Sequence, residues 1–140
     1  MTSPTTETKP LEELFVEVAH TLRGANTKMI GEYGLNPTQG KMFRLFMVKR
    51  TFPVNKIAPA MKLDQDVVDD TINYMVSQGW LTRSEADGEP VATITEKGDS
   101  TVHEIGRRRR QTGIDYFSVL SDKERNEFAQ ILETLQAKNN

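Results

Sequence analysis

Four aspartates, Asp64, Asp66, Asp69 and Asp70, fall within seven residues of this 140-residue chain. On a helix, Asp66 and Asp70 are four apart and share a face. Two exposed carboxylates without a third ligand make poor evidence for a metal. No nucleophile motif, glycine-rich phosphate loop or catalytic pair of acids accompanies them. Basic charge clusters only at Arg107–Arg110. Four consecutive arginines spread around a helix, so the run reads as a solvated or dimer-bridging segment, with phosphate attraction as the minority role. The chain has no cysteine, hence no disulfide, thiolate metal site or cysteine nucleophile. His20 and His103 belong to different expected helices and read as structural. Met29, Met42, Met47, Met61 and Met75 read as core filler rather than a ligand box. The expectation is a protein that is not an enzyme, with no catalytic residue, cofactor or metal.

The formal charge of −2 is unevenly distributed. Residues 1–53 carry seven Lys/Arg against five Asp/Glu, whereas residues 54–98 carry four against eight. The acidic block is therefore the middle of the chain. No apolar run approaches the roughly 18 residues of a membrane helix. The polar N-terminus lacks the layout of a secretory signal. A soluble cytoplasmic protein with no membrane partner is expected. A hydrophobic content of 36% is low for a compact monomer, so a partner copy is expected to complete part of the apolar surface.

The elements that position these residues follow from periodicity. Residues 1–9 read as a disordered polar tail, and residues 10–140 as one domain. A first helix begins at Pro10, with Leu11, Leu14, Phe15, Val18 and Leu22 as its apolar stripe and a break near Tyr33-Gly34. A second runs from about Thr38 to Lys49, facing the core with Met42, Phe43, Leu45 and Phe46. A third runs from Lys56 to about Met61 with Asn55 as its cap. Lys62-Leu63 makes a turn. The fourth starts at the Asp64 cap and reaches about Gln78, before Gly79. Val68, Ile72, Met75 and Val76 point inward. Asp66, Val67, Asp69, Asp70, Asn73 and Tyr74 are left largely outside. Trp80–Ser84 and Val91–Thr95 read as two strands joined around Asp87-Gly88, with Trp80 anchoring the hairpin. Thr95 caps a helix to about Leu120, and Ser121 with Glu124 forms a capping box before the last helix, Lys123 to about Lys138.

This order describes a mainly α fold: a winged helix-turn-helix over 34–98 with a two-stranded β wing. It is flanked by N- and C-terminal dimerisation helices over 10–33 and 99–138. The long helices need another surface for their stripes, and a two-fold homodimer supplies it. The expected dimer interface is Leu11, Leu14, Phe15, Val18, Ile114, Phe117, Leu120, Phe128, Ile131, Leu132 and Leu135.

The chain resembles the multiple-antibiotic-resistance regulator (MarR) family. Gly34-Leu35-Asn36-Pro37-Thr38-Gln39 looks like the family's GLTPTQ, and Val54 to Leu63 its VSELAERLGL. Gly79-Trp80-Leu81-Thr82-Arg83 is similar to GLVRR, Ile94-Thr95-Glu96-Lys97-Gly98 to LTEKG, and Leu120-Ser121-Asp122-Lys123-Glu124-Arg125 to LSPEER. Each motif alone is weak; five in register form a combined signal. The resemblance implies a homodimeric DNA-binding transcription regulator, typically a repressor, relieved by a small aromatic ligand in the cleft below the dimer helices.

It also implies that the helix from residue 65 enters the DNA major groove. The implied DNA-binding positions are Thr38, Lys56, Lys62, Gln65, Asp66, Val67, Asp70, Thr71, Asn73, Tyr74 and Arg83, with Gln39 and Lys41 beside Thr38. The family commonly places serine, threonine, serine and arginine where this chain has Asp66, Val67, Asp69 and Asp70. Its wings usually carry arginine near the tip; here the tip holds Glu85, Asp87 and Glu89. Carboxylates repel phosphate. They equally suit a basic protein partner, so the alternative is a winged-helix protein-interaction module with weak or no DNA binding.

Overall fold

The computed structural model describes residues 9–139. Residues 1–8 of the expected tail lie outside the described residues; Lys9 is exposed and its Nζ lies 2.7 Å from Glu17 Oε2. In chain order the elements are α1 (Leu11–Gly31), α2 (Pro37–Val48), β1 (Thr51–Pro53), α3 (Val54–Met61), α4 (Gln65–Ser77), β2 (Leu81–Ala86), β3 (Glu89–Ile94), α5 (Glu96–Phe117) and α6 (Asp122–Lys138). They form two compact units, Thr27–Arg108 and the described parts of Met1–Asn26 with Arg109–Asn140.

The first unit is a winged helix-turn-helix. Its core joins Met42, Phe43 and Phe46 of α2, Val54 and Ile57 of α3, and Val68, Ile72 and Met75 of α4 to Trp80, Leu81, Ala92 and Ile94 of the hairpin segment. Phe43 and Trp80 meet at a tilt of 37° with ring centroids 5.3 Å apart. Met29 and Ile30 of α1 and Val102 and Ile105 of α5 are buried in the same core. The unit is thus wider than the expected 34–98, because the inner ends of both flanking helices are needed to close it.

Local chemistry sets the boundaries. Asn36 caps α2, accepting from the Gln39 amide at 2.8 Å while Gln39 Oε1 accepts from the Asn36 amide at 2.9 Å. This reciprocal box occupies two of the helix's orphan donors. Helix α3 starts at Val54 rather than Lys56, so Asn55 is not its cap; Pro53 stands there and offers no side-chain bond. Pro59 is consequently the sixth helical residue, and its missing N–H leaves the Asn55 carbonyl, on an exposed residue, without an i+4 donor. The α3–α4 turn is closed by Lys62 in the left-handed region, φ 57°, while the Leu63 amide donates to the Ala58 carbonyl at 3.0 Å. Asp64 occupies the cap position of α4, but its side chain makes no cap hydrogen bond.

The wing belongs to a three-stranded antiparallel sheet in the order β1-β3-β2. β1 was not expected: three residues ending in proline give no alternating pattern to read. It pairs Thr51 with Thr93 and Phe52 with Ala92. The hairpin strands extend beyond the expected ones until Ala86 faces Glu89. Asp87 and Gly88 alone form the turn, with φ of 54° and 80°. Positive φ at both central residues is the turn whose twist matches the strands. At the exit, Thr95 Oγ1 donates to the Gly79 carbonyl at 2.6 Å and accepts from the Gly98 amide at 3.0 Å. This locks the start of α5 under the hairpin.

The second unit comprises the outer turns of α1 and α5 with α6. Its α6 begins at a complete Ser121–Glu124 capping box. None of the described residues in this unit is buried. Leu11 is 79% exposed, Ile114 62% and Ile131 56%. Phe117 and Phe128 meet with centroids 5.9 Å apart, beside an apolar cavity of about 630 Å³ lined by Val18, Leu120 and these rings.

Candidate nucleic-acid interface

Helix α4 offers its exposed face with α3 before it and β2 against it. Val68, Thr71, Ile72 and Met75 form the buried stripe at 3–4 spacing, which turns Gln65, Asp66, Val67, Asp70 and Asn73 outward. Lys56 and Lys62 are exposed on α3 and at its end. Arg83 projects from the base of the hairpin, opposite Ala92. Among the sequence-derived candidates, these eight residues stand exposed on α3, the turn, α4 and the hairpin base. Thr38, in the first turn of α2, is half-buried, as is Gln39; Lys41 is exposed.

Two candidates are corrected. Thr71 is buried, and its hydroxyl donates to the Val67 carbonyl at 2.7 Å. A side chain on the core stripe that returns its proton to its own helix cannot reach a base. Tyr74 is half-buried, its hydroxyl donates to the Gly34 carbonyl at 2.6 Å, and its ring meets Trp80 edge-on at 6.1 Å. Tyr74 therefore holds the α1–α2 turn against α4, and its polar end is occupied.

Asp69, left out of the candidate set, is the most connected side chain on the face. Its Oδ1 accepts from Gln65 Nε2 at 3.1 Å and lies 3.9 Å from Arg83 Nη2. The Gln65–Asp69 spacing of four was legible as a helical pair. The approach of Arg83 was not, because it needs β2 placed against α4. Asp64, Asp66 and Asp70 have no side-chain hydrogen bond or ion pair among the described residues. Glu85, Asp87 and Glu89 are exposed at the wing tip. The face therefore has a basic edge on α3 and an acidic centre and wing tip.

The other charged groups belong to the framework. Lys97 Nζ donates to the Gln78 carbonyl at 2.8 Å, closing the C-terminus of α4. Arg50 lies 3.3 Å from Asp99, which also faces His103 at 3.6 Å. His20 is exposed. Within the arginine run, Arg108 pairs with Glu32 at 3.0 Å and stands over the Tyr33 ring at 5.5 Å. Its hydrogen bond to the Tyr33 hydroxyl, followed by the one to Glu32, holds its guanidinium proton more firmly than usual. Arg108 is thus a clamp on the end of α1, and Arg107 and Arg110 remain exposed. Among the described residues no helix is long and apolar enough to cross a membrane.

No family model and no curated protein matches the chain. Its structure is similar to that of a Staphylococcus aureus protein, MepR, described as a transcription regulator of the multidrug efflux pump MepA. The TM-score is 0.86 at 15% identity, over 94% of this chain and all of that one. A MarR family protein from Bacillus stearothermophilus gives 0.78 at 20% identity over 91% of each chain. A substituted MepR bound to an oligodeoxyribonucleotide gives 0.77 at 14% identity, over 95% of this chain and all of that one. The chain has the winged-helix fold of these regulators.

Proposed function

We propose that this protein is a MarR-family transcription regulator, acting as a cytoplasmic homodimer that binds double-stranded DNA. The observation that carries the reading is the exposed face of α4 between the Lys56–Lys62 edge and Arg83, in a fold shared over nearly its full length with transcription regulators. In this reading α4 enters the major groove, Lys56 and Lys62 contact phosphate, and Gln65, Asp66, Val67, Asp70 and Asn73 face base edges. Two-fold pairing presents two such helices about 34–36 Å apart, one turn of duplex. Leu11, Leu14, Phe15, Ile114, Ile131 and Leu135, all exposed on helices with no buried residue in this unit, form the pairing surface with the half-buried Val18, Phe117, Leu120, Phe128 and Leu132. The MarR resemblance adds a repressor sense and release by a small aromatic ligand.

Fluorescence anisotropy on a duplex enriched from a random pool, across a salt series, tests the DNA reading. The expected result is nanomolar-range binding whose log affinity falls linearly with log salt. A folded dimer that binds no duplex at low salt would exclude it. The acidic face favours a second reading. Asp64, Asp66 and Asp70, unpaired, with Glu85, Asp87 and Glu89 on the wing, suit docking of a basic protein, and this reading gains if Asp66→Asn with Asp70→Asn abolishes capture of such a partner.

A further inference from the structure

Between Leu63 and Glu96 the sequence contains a single basic residue, Arg83. Helix α4 and the whole hairpin therefore bring one cation to the interface, and that cation faces Asp69 at 3.9 Å. The same carboxylate oxygen holds Gln65, the first residue of α4, at 3.1 Å. Like Asn73, Gln65 and Arg83 are suited to bidentate hydrogen bonds with nucleic acid. Gln65 and Arg83 are both engaged before any duplex arrives.

We propose that Asp69 determines specificity by acting through Arg83 and Gln65, a role that rests on the DNA-binding reading above. A phosphate on an arbitrary duplex must displace Asp69 from Arg83 and then leaves a carboxylate facing a polyanion. A site that presents an exocyclic amino group, cytosine N4 or adenine N6, gives Asp69 a new donor. Arg83 then passes to phosphate and Gln65 to a base edge. Release of the cation is conditional on the base, so Asp69 is a positioning residue that penalises non-cognate DNA.

The test compares the full-length wild type with Asp69→Asn, Arg83→Gln and the double variant, using Asp64→Asn to measure loss of one unpaired charge at the start of the same helix. Each is titrated against the enriched duplex and a scrambled one over a salt series, with folding checked by circular dichroism. Asp69→Asn is expected to tighten scrambled DNA at least about threefold and to steepen its salt slope by about 0.9, one added phosphate contact. The enriched-to-scrambled ratio should fall. Asp64→Asn should move both duplexes equally, and with Arg83 as glutamine Asp69→Asn should tighten scrambled DNA no more than Asp64→Asn does. Asp69→Ser repeats the comparison if the asparagine variant folds poorly. The proposal is overturned if the Asp69 variant behaves like the Asp64 variant, or if its excess tightening of scrambled DNA survives loss of Arg83; DNA binding itself then stands. Absence of binding by a folded wild-type dimer removes both readings.

Discussion

The Tyr33 hydroxyl donates to Glu104 Oε2 at 2.5 Å, joining residues 71 positions apart. Arg108 covers the ring and reaches back to Glu32. These contacts pin the end of α1 to α5 within the winged-helix unit, where Met29, Ile30, Val102 and Ile105 complete the core. Tyr33→Phe keeps the ring and removes the donor. Thermal unfolding followed by circular dichroism should show a loss of about 1 kcal/mol. An unchanged midpoint would mean that packing alone holds α1 to α5.

Gly98 lies where α5 passes beneath the hairpin. A Cβ there would collide with the Trp80 carbonyl oxygen, and would come within 2.8 Å of Ile94 Cγ1 and 3.1 Å of the Trp80 carbonyl carbon. Both neighbours are buried, so neither can yield. Gly98→Ala should destabilise the protein by about 1–3 kcal/mol through overpacking, measured by chemical denaturation. Gly24→Ala, where a Cβ meets nothing within 4 Å, serves as the control.

Lys62 serves two ends with opposing demands. Its backbone is left-handed, where an L side chain costs about 1–2 kcal/mol and glycine nearly nothing. Lys62→Gly should therefore raise the unfolding midpoint. If Lys62 contacts phosphate, the same variant should bind DNA more weakly and reduce the salt slope by about 0.9. A variant that is stabler and binds unchanged would place Lys62 outside the interface.

The α6 cap should give the protein an acid-sensitive element. The Ser121 amide donates to Glu124 Oε1 at 2.9 Å, and the Glu124 amide donates to Ser121 Oγ at 3.1 Å. Acceptance from the Ser121 amide holds the Glu124 carboxyl below its ordinary value of 4.5. Its contribution is therefore complete above about that pH and lost as pH falls through the lower folded value. Glu124→Gln should flatten the dependence of helix stability on pH across that acid window, as read by circular dichroism. Ser121→Ala should cost about 1 kcal/mol at neutral pH.

What could be read from residue order was what acts over short stretches of chain. Asp87-Gly88 determined the hairpin turn because both positions require positive φ. Gly79, Thr95 and Ser121 marked helix ends because capping bonds span three or four residues. The 3–4 spacing of Val68, Ile72 and Met75 identified the buried stripe of α4. That spacing also passes through Thr71, whose hydroxyl suggested an outward role; burial decided against it, since the hydroxyl found its acceptor at Val67 four residues back. Asn55 failed as a cap because Val54 is drawn into the core and starts α3 earlier.

Tertiary structure alone decided which distant groups meet. Asp69 with Arg83, Tyr33 with Glu104 and Tyr74 with the Gly34 carbonyl join residues 14 to 71 positions apart. Strand β1 likewise exists only because β3 offers Thr51–Pro53 an edge to pair with. Backbone preferences and capping are satisfied within one turn of chain, so residue order alone specifies them. A long-range pair depends on where packing leaves two surfaces, and no local pattern encodes that distance.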